Sequence, residues 1–151
     1  MEGNAPGSAT IRILDLKTHQ VSTLAGSEGL FSPHWSPDGR YVVAMSLDSQ
    51  KLMLFDFSTQ TWAELASSPA AYPNWSHDGS YIYFNNPYIA EPALYRLRIS
   101  DRKLELVTSL SRERLGWNIA TKWMGLASDD SPLVLRDTGS EEIYALDWEA
   151  P

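Results

Sequence analysis

Short apolar runs recur along the chain and predict β-strands. Residues 10–16 alternate between apolar and polar types, whereas residues 41–47 are almost continuously apolar. Alternation is typical of a strand with one buried face, and a continuous run is typical of a strand buried on both faces. Turn residues separate these runs, and no segment shows a helical period. The pattern therefore predicts an all-β chain of about thirteen strands.

The strand pattern repeats along the chain. The segment Phe31-Ser-Pro-His-Trp-Ser-Pro-Asp-Gly-Arg-Tyr returns as Ala71-Tyr-Pro-Asn-Trp-Ser-His-Asp-Gly-Ser-Tyr, so that Trp35 and Trp75 occupy the same register. Within Ser36-Pro-Asp-Gly39, Pro fixes φ, Asp bonds its own backbone and Gly takes a positive φ, which predicts a turn. Four strands, named A to D, fit each repeat. A period of about 40 residues indicates a propeller, a solenoid or an array.

This repeat divides residues 9–150 into four units. We expect a half blade over 9–25, blades over 31–66 and 71–109, and an incomplete blade over 117–150. The strand order is then CD-ABCD-ABCD-ABC. The last unit is degenerate, and one constant offset aligns it with the first full unit. That offset places Asp129, Asp130 and Leu133 on Asp38, Gly39 and Val42, and residues 146–148 on residues 55–57.

Four antiparallel strands in about 40 residues are typical of a propeller blade. The segment Trp35-Ser-Pro-Asp-Gly-Arg-Tyr41 resembles the repeat of TolB-like (WD-like) bacterial propellers, and so does the strand C motif at 14–16 and 55–57. The resemblance covers nearly all of residues 9–150 and implies a partial β-propeller of about three blades. More narrowly, residues 126–137 and 143–148 look like the end of bacterial regulators that join a winged-helix DNA-binding domain to a propeller.

Propellers of these families have six or more blades, so about three blades would form an open arc. An open arc exposes strand edges and the apolar flanks of its end blades. Either the chain is part of a longer protein, or a second copy completes it. Three C-terminal and two N-terminal strands make five where a blade needs four. A fragment is therefore the first interpretation and self-association the second.

Composition excludes several kinds of site. The net charge of −7 argues against direct nucleic-acid binding, which needs a basic surface. The chain has no cysteine, which excludes disulfides and cysteine metal sites. No run of 18 apolar residues predicts a membrane span. Residues 1–8 lack the features of a signal peptide and are expected to form a flexible leader. The compartment stays open, with the cytoplasm slightly favoured.

No residue pattern nominates a catalytic, cofactor or metal site. A Gly-x-Ser-x-Gly nucleophile elbow is missing. His19, His34 and His77 occupy unrelated positions, which argues against zinc. Turn chemistry accounts for Asp38 and Asp78 without calcium, because their loops lack further carboxylates. We expect Trp35 and Trp75 to pack between blades rather than to stack a ligand.

Two segments depart from the repeat and form a candidate interaction surface. The loop at 85–92 carries Tyr88 and Ile89 between prolines. The insertion at 110–123 carries Arg112, Arg114 and Trp117, residue types favoured at interface hot spots. Ordinary loop variation with Trp packing is the other interpretation.

The predicted function is that of a non-catalytic propeller module for protein–protein interaction or sensing. It is part of a longer regulator or completed by self-association. Its partner is another protein or a second copy, with no direct contact to nucleic acid or membrane. The alternative is the accessory propeller of a serine peptidase or a glycan-processing enzyme whose catalytic part lies outside this chain. Propellers serve many tasks, so the fold alone does not decide between them.

Overall fold

The computed structural model describes residues 9–86, 92–110, 117–118 and 121–140, with the backbone alone at 117–118 and 121–122. The leader predicted at 1–8 lies outside this range. The described residues form fourteen strands and no helix, which confirms the all-β prediction. The strands are β1 (Arg12–Leu14), β2 (Val21–Thr23), β3 (Leu30–Trp35), β4 (Tyr41–Ser46), β5 (Lys51–Asp56), β6 (Thr61–Ser67), β7 (Ala71–Trp75), β8 (Tyr81–Asn86), β9 (Ala93–Arg98), β10 (Leu104–Ser109), β11 (Trp117–Asn118), β12 (Thr121–Lys122), β13 (Met124–Leu126) and β14 (Pro132–Val134).

Two four-stranded antiparallel sheets dominate the fold. The first blade has the order β3-β4-β5-β6 and the second blade has the order β7-β8-β9-β10. Strands β1 and β2 pair as an N-terminal hairpin, and β13 and β14 pair as a C-terminal hairpin. This arrangement confirms a partial propeller, whose described repeat strands read CD-ABCD-ABCD-AB. A further small sheet, β11–β12, falls within the predicted insertion, and the strand predicted at 146–148 lies outside the described residues.

The two blades pack on each other through one apolar cluster. Val43 and Leu54 of the first blade meet Ile82, Phe84 and Leu97 of the second, and all five are buried. Neighbouring strand residues point to opposite sides of the sheet, so Val42 faces the N-terminal hairpin while Val43 faces the second blade. Burying side chains of this size contributes roughly 1.5–3 kcal/mol each. The first blade is therefore apolar on both faces.

A second cluster joins the N-terminal hairpin to the first blade. Ile11 and Leu24 of the hairpin region pack against Val42, Ala44 and Phe55. In addition, the indole N–H of Trp62 donates a hydrogen bond to the carbonyl of Ala25 over 2.9 Å. Strands β1 and β2 thus lie against the first blade in the positions of strands C and D of a preceding blade.

The C-terminal hairpin departs from the repeat by one residue. Leu126 pairs with Pro132, whereas Trp35 pairs with Val42. The turn closes from Ala127 N–H to the Ser131 carbonyl, one residue shorter than the turn that Ser36 and Tyr41 close in the first blade. The placement of Leu133 on Val42 is therefore wrong, and Leu133 corresponds to Val43. A shift of one residue exchanges the faces of a strand.

Candidate interaction interface

The repeated Ser-x-Asp-Gly motif holds a turn. The Ser36 hydroxyl accepts a hydrogen bond from the Tyr41 N–H and donates one to Asp38, at 2.8 and 2.6 Å. Gly39 takes a φ of 72°. The bond from Ser36, followed by the Arg40 N–H, holds the pKa of Asp38 below its ordinary value. The second blade repeats this arrangement with Ser76, Asp78, Gly79 and Tyr81.

The histidines serve separate local contacts. His34 shares a hydrogen bond of 3.3 Å with the Ser32 hydroxyl, and burial lowers the pKa of its ring. His77 lies 2.8 Å from Asp130, which joins the turn of the second blade to that of the C-terminal hairpin. His19 lies in the turn after β1. Across 9–86, 92–110 and 123–140, no three His, Asp or Glu side chains gather in a metal-binding group.

The predicted interaction surface falls almost wholly on parts of the chain for which no placement is described. Tyr88, Ile89, Arg112 and Arg114 lie outside the described residues. The backbone of Trp117 pairs with that of Lys122 in the β11–β12 hairpin. The role of these five residues in binding stays a prediction.

Trp35 and Trp75 occupy the same position in successive blades but have different surroundings. The indole N–H of Trp75 donates to the carbonyl of His34 at 3.0 Å, and its ring stacks on Tyr41 of the first blade at 6.3 Å. Trp75 thereby holds the second blade against the first. Packing between blades is confirmed for Trp75.

For Trp35, the prediction of packing between blades is wrong. This ring stacks on Phe57 of its own blade at 4.8 Å, and half of its surface is exposed. Within the described chain its indole N–H has no hydrogen-bond partner. Of the unit before it, the described residues include strands C and D, β1 and β2. The strand count of the sequence contains that signal, because the first unit starts at strand C.

A cavity of about 730 Å³ lies on the N-terminal side of the first blade. One wall is the start of β3, with Leu30 and Phe31, and the other is the edge of β1, with Ile11 and Arg12. In the described chain β1 pairs with β2 alone, whereas its counterpart β5 pairs with β4 and β6. The cavity therefore lies where strands A and B of a blade would stand.

One edge of β1 carries backbone polar groups that point away from β2. Leu24 N–H donates to the Ile11 carbonyl and Asp15 N–H donates to the Gln20 carbonyl, so these residues turn their polar groups towards β2. Antiparallel ladders alternate, and the polar groups of Arg12 and Leu14 therefore point to the open edge. Such an edge is a template for another strand.

Apolar exposure concentrates at the two ends of the described arc. The described chain has ten exposed large hydrophobic side chains, and six of them belong to the N-terminal hairpin, to Trp35 or to the C-terminal hairpin region. The six are Leu14, Leu16, Val21, Trp35, Leu133 and Leu135.

The outward face of the second blade is mixed. Near strand A it is apolar, where Tyr83 and Leu94 pack under Met124. Farther out, Glu105 binds Arg96 and Arg98, each at 2.9 Å, and these cations lower its pKa, Arg96 most strongly. The Arg96 guanidinium also lies 4.6 Å from the centre of the Tyr81 ring.

The matches to known proteins come from the comparison of structures. No family model and no curated protein matches the chain. TolB from Acinetobacter baumannii is 27% identical, with 66% of this chain and 26% of that chain covered and a TM-score of 0.55. The chain has a TolB-like β-propeller fold.

Two enzymes share this propeller fold at lower identity. Tricorn protease matches 82% of this chain and 12% of its own, at 14% identity and a TM-score of 0.60. Oligogalacturonate lyase from Vibrio parahaemolyticus matches 65% and 33%, at 15% identity and a TM-score of 0.56. The chain thus spans a third or less of each of the three proteins named. No helix among the described residues is long and apolar enough to cross a bilayer.

Proposed function

We propose that this chain is a non-catalytic propeller module that binds another polypeptide at the open end of its arc. The observation that carries the proposal is the contrast between the two tryptophans. Trp75 packs between the blades and donates its indole N–H to the His34 carbonyl. Trp35 has the same ring and N–H but is half exposed, and the described chain places no blade against it. Tryptophan is among the residues that dominate binding energy at protein interfaces.

The polar residues near Trp35 support a binding role over catalysis. Ser36 and Asp38 are committed to the turn through short hydrogen bonds, and Asp56 is held by Ser58 and by Arg40. A general base or nucleophile needs a side chain free to reach a substrate. These groups instead fix the backbone beside an apolar surface.

A finer version makes the module the sensory or scaffold part of a winged-helix regulator. It rests on the likeness of the C-terminal residues alone, since none of the matched proteins named above is described as a regulator. Sequencing the gene upstream of Met1 tests it. A winged-helix domain there supports the regulator, and its absence from the parent gene removes this version.

The second candidate is an accessory propeller of a peptidase or a glycan-processing enzyme. Its support is that tricorn protease and oligogalacturonate lyase share the propeller fold, which is evidence of fold and not of task. A hydrolase or lyase domain encoded downstream of Pro151 would favour this candidate. The binding role of the open end applies in either context.

A photo-cross-linking amino acid in place of Trp35 tests the binding role directly. The control carries it in place of Leu106, which is 62% exposed on β10 and lies away from the ends. After irradiation in host extract, mass spectrometry identifies the joined peptides. We expect position 35 to join one identified polypeptide, either another protein or a second copy, well above the control. Equal labelling at both positions overturns the proposed function.

A further inference from the structure

We propose that a pocket between the two complete blades binds a small carboxylic acid with an apolar body. The pocket has a volume of about 250 Å³, and its lining belongs to residues 41–65 of the first blade and 99–102 of the second. Because the structure describes both blades there, the site does not depend on the ends of the arc. It is a second binding site, separate from the open end to which the proposed function refers.

Part of the pocket lining is apolar. Leu54 and Leu65 of the first blade are buried in the cluster that joins the blades, and Ile99 of the second blade packs against that cluster. Ala63 lies in the same lining. Small-molecule pockets are lined mainly by apolar side chains, with a few polar groups that fix the orientation of the ligand. These four residues therefore offer the surface on which the body of a ligand is buried.

A smaller residue leaves space between the two blades. The Phe57 N–H donates to the Arg40 carbonyl and the Ile99 N–H donates to the Ser80 carbonyl, so Ile99 corresponds to Phe57 one blade later. The Phe57 ring stacks on Trp35 and fills its side of the first blade. Ile99 has no ring, and the pocket lies beside it.

Hydroxyl and charged residues of the first blade form another part of the lining. Tyr41, Thr59 and Thr61 are hydroxyl residues, and the Thr59 and Thr61 oxygens lie 2.8 Å apart. Asp56 also lines the pocket, but its carboxylate already accepts a hydrogen bond from the Arg40 guanidinium at 3.0 Å. The negative charge of Asp56 is therefore offset within its own blade, and a ligand does not have to neutralise it.

Arg102 lines the pocket from the second blade. It lies in the turn after β9, and its guanidinium donates to the Glu64 carbonyl of the first blade over 3.2 Å, so the side chain crosses from one blade to the other. Arg96 and Arg98 of β9 both pair with Glu105. Among the described residues no carboxylate forms an ion pair with Arg102. The described chain therefore leaves the charge of Arg102 for an anion to offset.

The repeat itself does not require a side chain to cross at this position. His19, Gln60 and Arg102 occupy the same place in three equivalent turns, with φ values of 56°, 57° and 57°. In the first blade, the Gln60 amide donates to the Phe57 carbonyl of its own turn at 2.8 Å. The crossing of Arg102 is thus a property of the joint that contains the pocket and not of the turn.

These properties define the class of ligand. A guanidinium binds a carboxylate through two parallel N–H bonds, and the bond to Glu64 uses one of the five N–H donors of Arg102. A short hydrocarbon body would then lie against Leu54, Leu65 and Ile99. The volume is just below the roughly 300 Å³ at which pockets for drug-sized ligands begin, so the ligand is a small acid. A cation would be repelled by Arg102, and an uncharged molecule would leave its charge without a partner.

Titration with phenylacetate tests the site, and phenylacetamide is the uncharged control of the same shape. NMR spectra of the 16.9 kDa chain follow the methyl signals of Leu54, Leu65 and Ile99. We expect saturable shifts of these signals with phenylacetate. Binding of the amide should be at least about tenfold weaker, because hydrogen bonds between charged groups are the stronger ones. Absence of a saturable shift, or equal binding of the two probes, overturns the proposal.

Two variants of one turn separate the proposed site from general attraction of anions. Arg102→Gln introduces the residue type that the first blade has at this position, and it should weaken phenylacetate binding at least about tenfold. Lys103→Gln removes a neighbouring cation that lies 3.5 Å from Glu105 and is not part of the pocket lining. Its binding should equal that of wild type. Equal weakening in the two variants overturns the proposal.

Ile99→Phe supplies a steric readout, because it introduces the larger residue of the first blade beside the pocket. Phenylacetate binding should be lost while circular dichroism shows the fold of wild type. Retained binding in a folded Ile99→Phe protein overturns the placement of the ligand. If this variant does not fold, the comparison of Arg102→Gln with Lys103→Gln still decides. Photo-cross-linking at position 35 reports on the open end alone, so the proposed function and this site can fail separately.

Discussion

The first and second blades have the same four strands but differ in the face that they turn towards the C-terminal end. In the first blade, Leu54 pairs with Ala63 and is buried against the second blade. In the second blade, the equivalent pair is Arg96 with Glu105, and it is partly exposed. A face covered by a whole blade must be apolar, because a buried charge without full solvation is costly. A face that stays partly exposed can carry ion pairs.

The test with the largest expected effect exchanges the residue types at equivalent positions of the two faces. Leu54→Arg places a cation in the cluster between the blades and should lower the free energy of unfolding by about 3 kcal/mol or more. Arg96→Leu makes the reverse change on the outward face and should cost less than about 1 kcal/mol. Urea denaturation followed by circular dichroism measures both. Leu54→Met, which keeps the volume, is the control and should cost less than about 1.5 kcal/mol.

If both charge-changing variants lose the same stability, the two faces are equivalent and the contrast is wrong. A loss confined to Leu54→Arg shows that the first blade is an interior blade. Increased association of Arg96→Leu on size exclusion would add that the ion pairs also keep the outward face soluble.

A smaller effect separates the two tryptophans. Trp75→Phe removes the hydrogen bond to His34 and should cost about 1 kcal/mol. Trp35→Phe removes an N–H that has no partner in the described chain, and at a concentration where the protein is monomeric it should cost less than about 0.5 kcal/mol. Thermal unfolding of the two variants side by side measures the difference. Equal losses would show that Trp35 has a partner within its own chain.

The smallest expected effect is on stability at low pH. One strand position carries opposite charges in the two blades. Asp56 pairs with Tyr41 in the first blade, where the second blade has Arg98 with Tyr81. Hydrogen bonds from Ser58 and then Arg40 lower the pKa of Asp56 from 3.8 to about 2. The folded pKa is the lower one, so the stabilisation is present above the unfolded pKa of 3.8 and is lost as the pH falls towards 2.

The expected outcome is a steeper acid loss of stability in wild type than in Asp56→Asn. Urea midpoints measured at a series of pH values from neutral down to about 2 provide the comparison. Other aspartates titrate in the same range, and the difference between the two curves isolates Asp56. Parallel curves would show that Asp56 contributes no pH dependence.

The repeat made the fold readable from the sequence. Trp35 and Trp75 in one register, with turns at Gly39 and Gly79, set the strand order of both blades, and the structure has that order. The motif did not reveal that the Trp35 side chain is exposed. A motif gives the position of a residue in its repeat and not whether another blade packs against it. Burial depends on the unit before it, of which the described residues include strands C and D.

The C-terminal hairpin shows a second limit. A constant offset aligned Asp129 and Asp130 with Asp38 and Gly39, and Asp130 does take the positive φ, 63°, of that glycine. One residue fewer after the turn then moved Leu133 to the other face. A period of two makes strands sensitive to a single deletion, while an alignment of apolar residues tolerates it. Only the paired register reveals which leucines are exposed.

The order of strands within each blade has a consequence for how the molecule folds. Every strand in β3–β6 and in β7–β10 pairs with its neighbour in the chain, so the loops that must close are short. Each blade can form as the chain emerges, without waiting for distant residues. Refolding should therefore show a fast phase whose rate is independent of protein concentration.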